Sequence, residues 1–176
     1  FHVRIPHDKS QPPVMELSAQ LHNGNLAQAS RYFPTRLLSD GFNRWLAQTK
    51  FRGRANHLKL EYTGQVRGFP IRGADKFDVL ANLGSTSMSF MPGWPRVSGI
   101  EGDLVVTRTD LTLTGNANDL FGQRVNDATV HLQNLDQPGQ QIIHVDTGLQ
   151  GDTARVIEFL RTGPLFAGTP LQSLDI

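Results

Sequence analysis

Cysteine is absent from the 176 residues, which excludes disulfide bonds and thiolate metal sites but leaves the redox compartment open. No apolar run approaches the roughly 18 residues of a membrane-spanning helix, and no signal-peptide pattern opens the chain. Charge of one sign is missing too. Lys and Arg total 17 against 16 Asp and Glu, so no bulk field draws in nucleic acid or an acidic membrane surface. No phosphate loop or dinucleotide fingerprint occurs. The length fits one domain with a sizeable core. The chain begins at Phe1, in mid-pattern, which predicts a piece cut from a longer protein, so that missing targeting signals say nothing about the parent.

What the sequence does have is alternation. From Met15 to Leu149, short stretches place an apolar residue at every second position, the mark of strands with one apolar and one polar face. Met15, Leu17, Ala19 and Leu21 open the series. Leu58, Leu60, Tyr62 and Val66 follow, then Phe77, Val79, Ala81 and Leu83, and, across Gly84-Ser85, Thr86, Met88 and Phe90. Ile100, Gly102, Leu104 and Val106 lead through Arg108-Thr109-Asp110 to Leu111 and Leu113. A polar loop is expected at Asn116, Asn118 and Asp119, before Ala128, Val130 and Leu132. Gln137-Pro138-Gly139 then turns the chain into Ile143, Val145, Thr147 and Leu149.

Two short helices interrupt the strands. One is expected near 35–48, capped by Ser39 or Asp40, with Phe42, Trp45 and Leu46 at helical spacing. The other is expected over 153–161, capped by Asp152 and ended by Gly163-Pro164. Leu21-His22-Asn23-Gly24 and Leu149-Gln150-Gly151-Asp152 each close a strand ahead of a helix, a faint internal repeat. Residues 1–13, with Pro6, Pro12 and Pro13, predict a frayed lead-in. Residues 14–165 predict one β segment, and 166–176 a tail or the start of another repeat.

Residues that carry chemistry are scattered. His2, His7, His22, His57, His131 and His144 show no metal-ligand spacing. Ser85, Ser87 and Ser89 lack the nucleophile-elbow glycines. Asp75 with Asp78, and Glu101 with Asp103, read as solubilising strand residues. No enzyme, cofactor or metal site is therefore expected. Lys50, Arg52 and Arg54 form the one basic cluster. It reads as a charged strand edge or as a contact for lipid phosphates, and not as a nucleic-acid platform, because no aromatic stacking pattern accompanies it. Trp94, between prolines, is a candidate surface aromatic for a sugar.

The order of several weak signatures is informative. Arg31-Tyr32-Phe33-Pro34, then Arg44-Trp45-Leu46 and Phe51-Arg52-Gly53-Arg54, resembles the YhdP branch of AsmA-like proteins. So do Phe69-Pro70, Lys76-Phe77-Asp78-Val79, Met88-Ser89-Phe90-Met91-Pro92-Gly93-Trp94-Pro95 and the closing Phe159-Leu160-Arg161-Thr162-Gly163-Pro164-Leu165. The resemblance covers Met15 to Leu165. Phe33, where a leucine is usual, and the short Gln137–Gln140 connection depart from it.

The resemblance implies a mainly β fold, an antiparallel curved sheet forming a groove of the β-taco type, related to that of TamB. It also implies a periplasmic segment of a protein anchored in the inner membrane, and phospholipid as ligand. Neighbouring repeats of the same chain would be partners, as would membranes reached through other parts of the parent. In such a groove Leu58, Leu60, Tyr62, Phe77, Val79, Met88, Phe90, Leu104, Val106, Leu111, Leu113, Val130, Leu132, Ile143 and Val145 would shield acyl chains, with Lys50, Arg52 and Arg54 near headgroups. The alternation itself serves an open groove and a closed β-sandwich equally. The sandwich is the alternative, as an interaction or carbohydrate-binding module.

Overall fold

In the computed structural model, the structure describes residues 2–4, 12–28, 48–65, 74–89, 95–135, 137, 140 and 142–162. All strands join one open antiparallel meander, an eight-stranded sheet in which each strand pairs with its neighbour in sequence. They are β1 (His2–Arg4), β2 (Val14–Asn25), β3 (Arg52–Gln65), β4 (Ala74–Ser89), β5 (Arg96–Val106), β6 (Leu111–Leu120), β7 (Gln123–Gln133) and β8 (Ile142–Gln150). The closed sandwich does not form among the described residues, because there is no second sheet to close it.

Three expectations are corrected. The lead-in is not wholly frayed: His2–Arg4 pairs with Val14–Glu16, since backbone hydrogen bonding to a sheet edge needs no apolar pattern. Gly84-Ser85 does not divide two strands, for β4 runs through it. The polar loop at Asn116, Asn118 and Asp119 is strand β6. The chain reverses instead at Phe121-Gly122, where φ values of 58° and 76° make a two-residue turn whose hand suits the sheet twist. Asp119 Oδ1 accepts from Gly122 N at 2.6 Å to hold that turn.

Asparagines and threonines lie in strands because a line of bulges crosses the sheet. Register shifts fall between Ala55 and His57, between Leu83 and Thr86, between Gly115 and Ala117, and between Asn126 and Thr129. Asn23, Ser85 and Asp127 take left-handed φ values of 53°, 48° and 49° nearby. A bulge leaves backbone groups without ladder partners. Polar side chains supply some of these. Asn116 Oδ1 accepts from Asp127 N at 2.9 Å, and buried Thr86 donates through Oγ1 to Arg54 O at 3.2 Å. Long strands can thereby bend without orphaning their backbone.

The core gathers on the apolar face around this line. Ala81, Leu83, Met88, Val97, Ile100, Leu113, Ala117 and Val125 form one cluster, with Leu26 and Phe51 packed against it. A second cluster joins Tyr62, Phe77 and Val79 to Met15, Leu17 and Leu60.

Helix α1 (Thr153–Thr162) follows β8. Asp152 Oδ1 accepts from Ala154 N at 2.9 Å, the N-cap expected from sequence. Buried Gln123 donates through Nε2 to Asp152 O at 3.1 Å and ties the helix start to the β6–β7 turn. Asn25 Oδ1 caps Ala27 N in the same way at 3.0 Å, where β2 enters a 3-10 turn at Leu26–Gln28. The other expected helix lies outside the described residues apart from its end, where Gln48 and the following Thr49 are helical.

Between β5 and β6 the backbones approach so closely that a Cβ on Gly102 would meet Thr114 O at 2.0 Å. Gly102→Ala is expected to cost at least ~2 kcal/mol in urea unfolding, since backbone must shift. Gly148→Ala, whose added Cβ meets nothing nearer than 3.4 Å, is expected to unfold almost as the parent does.

Candidate functional site

The apolar face is a set of cross-strand rows. Register aligns Leu21, Leu58, Ala81, Leu104, Leu113, Val130 and Val145 in one row across seven strands. The next row runs Ala19, Leu60, Val79, Val106, Leu111, Leu132 and Ile143. A third joins Leu17, Tyr62 and Phe77. Six interstrand spacings of about 4.8 Å give the long rows a span of roughly 29 Å.

Of the fifteen residues expected to line a groove, these rows hold thirteen. Met88 lies in the core cluster beyond the bulges, and Phe90 is outside the described residues. Exposure is graded across the face. Tyr62, Phe77, Val79 and Leu113 are buried, whereas Ile143 is 46% and Val145 56% exposed at the β8 edge. Leu21 and Leu149 belong to this face as well, at 43% and 41%. Their alternation marked them as strand residues, but they were not expected among the lining residues. The Tyr62 hydroxyl donates to Gln65 O at 2.6 Å, and burial, followed by the charge of Asp75, pushes its phenol pKa upward.

The opposite face is polar and locally self-paired. Glu61 lies between Lys59 at 2.7 Å and Lys76 at 2.6 Å. His22 stacks on His57 with ring centroids 4.8 Å apart, and His131 Nε2 is 3.7 Å from Asp110 Oδ1. Ser87 Oγ accepts from Arg96 at 2.6 Å. These contacts place His22, His57, His131 and Ser87 in surface pairings.

The family model described as "YhdP protein" matches residues 2–175. The chain belongs to the YhdP family. One relative, the "Intermembrane phospholipid transporter YhdP" of Escherichia coli (strain K12), is 25% identical over 161 residues. The match takes in 91% of this chain but 12% of that protein, so the chain spans only a short stretch of its relative's length. No solved structure matches.

Within the basic cluster of this YhdP-family chain, Arg54 lies on the polar face, where it lines a cavity together with Asn23, Asn25, Asn56, Asn82 and Glu101. Lys50, at a φ of 46°, offers its carbonyl to the Arg96 guanidinium at 3.5 Å. Arg52 is exposed at the start of β3. Asn23-Gly24-Asn25, whose asparagines are in the cavity wall, has the composition of a turn but lies at the end of strand β2. Trp94, the other candidate ligand contact, lies outside the described residues.

Hydrogen bonds from Lys59 first, then Lys76, hold the Glu61 carboxyl down at about 2. A depressed folded pKa stabilises the fold above the ordinary glutamate value and loses that contribution as pH falls toward 2. Carbon-detected NMR is expected to show Glu61 titrating well below a free glutamate, and Lys59→Met to move its midpoint upward.

Proposed function

We propose that this chain is one segment of a lipid-conducting surface, on which the apolar face shields phospholipid acyl chains by contact alone, without a reaction. The observation that carries the reading is the unbroken row from Leu21 to Val145, exposed at both ends. A phospholipid carries about 30 methylenes, each worth roughly 0.8 kcal/mol when kept from water. Exposing both chains therefore costs on the order of 20 kcal/mol, and a gap in the lining would stop movement. The E. coli relative, an intermembrane phospholipid transporter, supports the same ligand.

The row spans roughly 29 Å, less than two membranes are apart, so neighbouring segments of a longer chain would continue the path. The half-buried and exposed residues of the rows, Leu58, Leu60, Leu104, Val106, Leu111, Val130, Leu132, Ile143 and Val145, act as the acyl contact over a packed layer that holds Tyr62, Phe77, Val79 and Leu113, and the β8 edge as the junction to the next segment. A periplasmic setting, with the parent anchored in the inner membrane, fits a surface that hands lipid between two bilayers. Among the described residues no helix is long and apolar enough to cross a membrane, so the proposed anchor would belong to other parts of the parent.

Native mass spectrometry of the purified chain tests the proposal. Co-purifying phospholipid is expected, and Ile143→Glu with Val145→Glu, both exposed on the apolar face, is expected to abolish it while the melting curve stays near that of the parent. Val145 is already over half exposed, so a charge there disturbs folding little. Undiminished lipid in a folded double variant would contradict the assignment of the face.

A further inference from the structure

A cavity of about 1040 Å³ opens on the polar face, where the bulges cross β2 to β5. Ligand sites commonly run to roughly 300–1,000 Å³, so it is large enough for several linked rings. Its walls bring together the amides of Asn23, Asn25, Asn56 and Asn82, the Arg54 guanidinium and the Glu101 carboxylate.

Two features set it apart from an ordinary solvated strand surface. The first is orientation. Asn56 Nδ2 donates to Asn82 Oδ1 at 2.8 Å, and Asn82 Nδ2 donates to Asp103 Oδ1 at 2.8 Å. This chain fixes two amide planes across three strands. It leaves Asn56 Oδ1 and the second hydrogen of each amide for another partner. The second is charge. Arg54 and Glu101 share the cavity, yet neither has an ion-pair partner among the described residues. Between them β4 presents Gly84, directly opposite Arg54, where a Cβ would stand 2.7 Å from Asn56 Oδ1. The missing side chain makes room for the Asn56 amide, which lies over the Gly84 backbone at the cavity wall.

The chemistry of this wall selects a ligand class. One cation and one anion cancel, so it is not a phosphate site, which gathers positive donors. Amides, a guanidinium and a carboxylate together offer donors and acceptors side by side. Hydroxyl groups need both at once. We propose that this cavity binds an oligosaccharide, with Arg54 and Glu101 holding neighbouring hydroxyls and Asn56 and Asn82 bonding the ring edge. The site is on the face opposite the apolar rows, so it stands or falls independently of the lipid reading.

NMR titration of the 176-residue chain tests it, following the asparagine side-chain amides with chitotetraose, maltotetraose, mannotetraose and inorganic phosphate as separate probes. Saturable shifts at Asn56 and Asn82 with at least one sugar are expected. Arg54→Gln and, separately, Glu101→Gln are each expected to weaken that binding at least about tenfold, the scale of a lost charge-assisted hydrogen bond. Thr112→Ser, on the same face away from the cavity, is expected to bind as the parent does. No saturable shift with any sugar to about 20 mM, which corresponds to negligible affinity, would overturn the proposal. So would shifts with phosphate alone, or equal sugar binding in folded Arg54 and Glu101 variants.

Discussion

A slip of one residue in any ladder of this sheet would carry that strand's apolar side chains to the polar face. The two long rows on the apolar face exist only because six ladders keep their pairing from β2 to β8. The bulges help to fix that pairing. Because register shifts recur at nearly the same height on successive strands, a strand cannot slide without moving its extra residue away from the partner that satisfies it. Asn116 on Asp127 N, and Thr86 on Arg54 O, act as such anchors. Gly102 and Gly115 add a steric lock, since their backbones touch where a side chain would be.

The same architecture separates two kinds of surface. On one face, exposure rises from the buried Tyr62 and Phe77 toward Val145, so the face is packed in the middle and open at the β8 margin. An exposed strand of nine residues carrying Ile142, Ile143, Val145 and Leu149 is a hazard in an isolated domain, because its outer edge, unpaired among the described residues, invites another strand. Neither lysine nor proline protects it. In a longer chain that margin would be a natural place for continuation. On the other face, charge is matched in short range, as at Glu61 with its two lysines, and the bulges hollow out a polar cavity.

Much of this was legible in the sequence. Period-two alternation identified the apolar face, and register then joined its residues into rows, because alternation depends only on backbone geometry. The Asp152 cap was legible for the same local reason. The turn at Phe121-Gly122 was not, because a bulky residue at positive φ gives no turn signal of its own. Asn116 and Asn118 read as loop because asparagine favours turns, whereas here Asn116 satisfies a bulge on the next strand, a long-range demand invisible to local propensity. The polar cavity was hidden likewise: Asn56, Asn82 and Glu101 are far apart in sequence and meet only through register. Arg54 was visible as charge, but its face depends on the bulge beside Ala55.

Site-specific photocrosslinking along β8, in the protein as it is made in living cells, tests the acyl-binding role of the apolar face most directly. Ile143 and Val145 share the apolar face, while Ile142 and His144 share the other. A photoreactive residue at 143 or 145 is predicted to capture phospholipid, and the same residue at 142 or 144 to capture none. Lipid captured equally at all four positions, or at none, would contradict an acyl-binding role for this face.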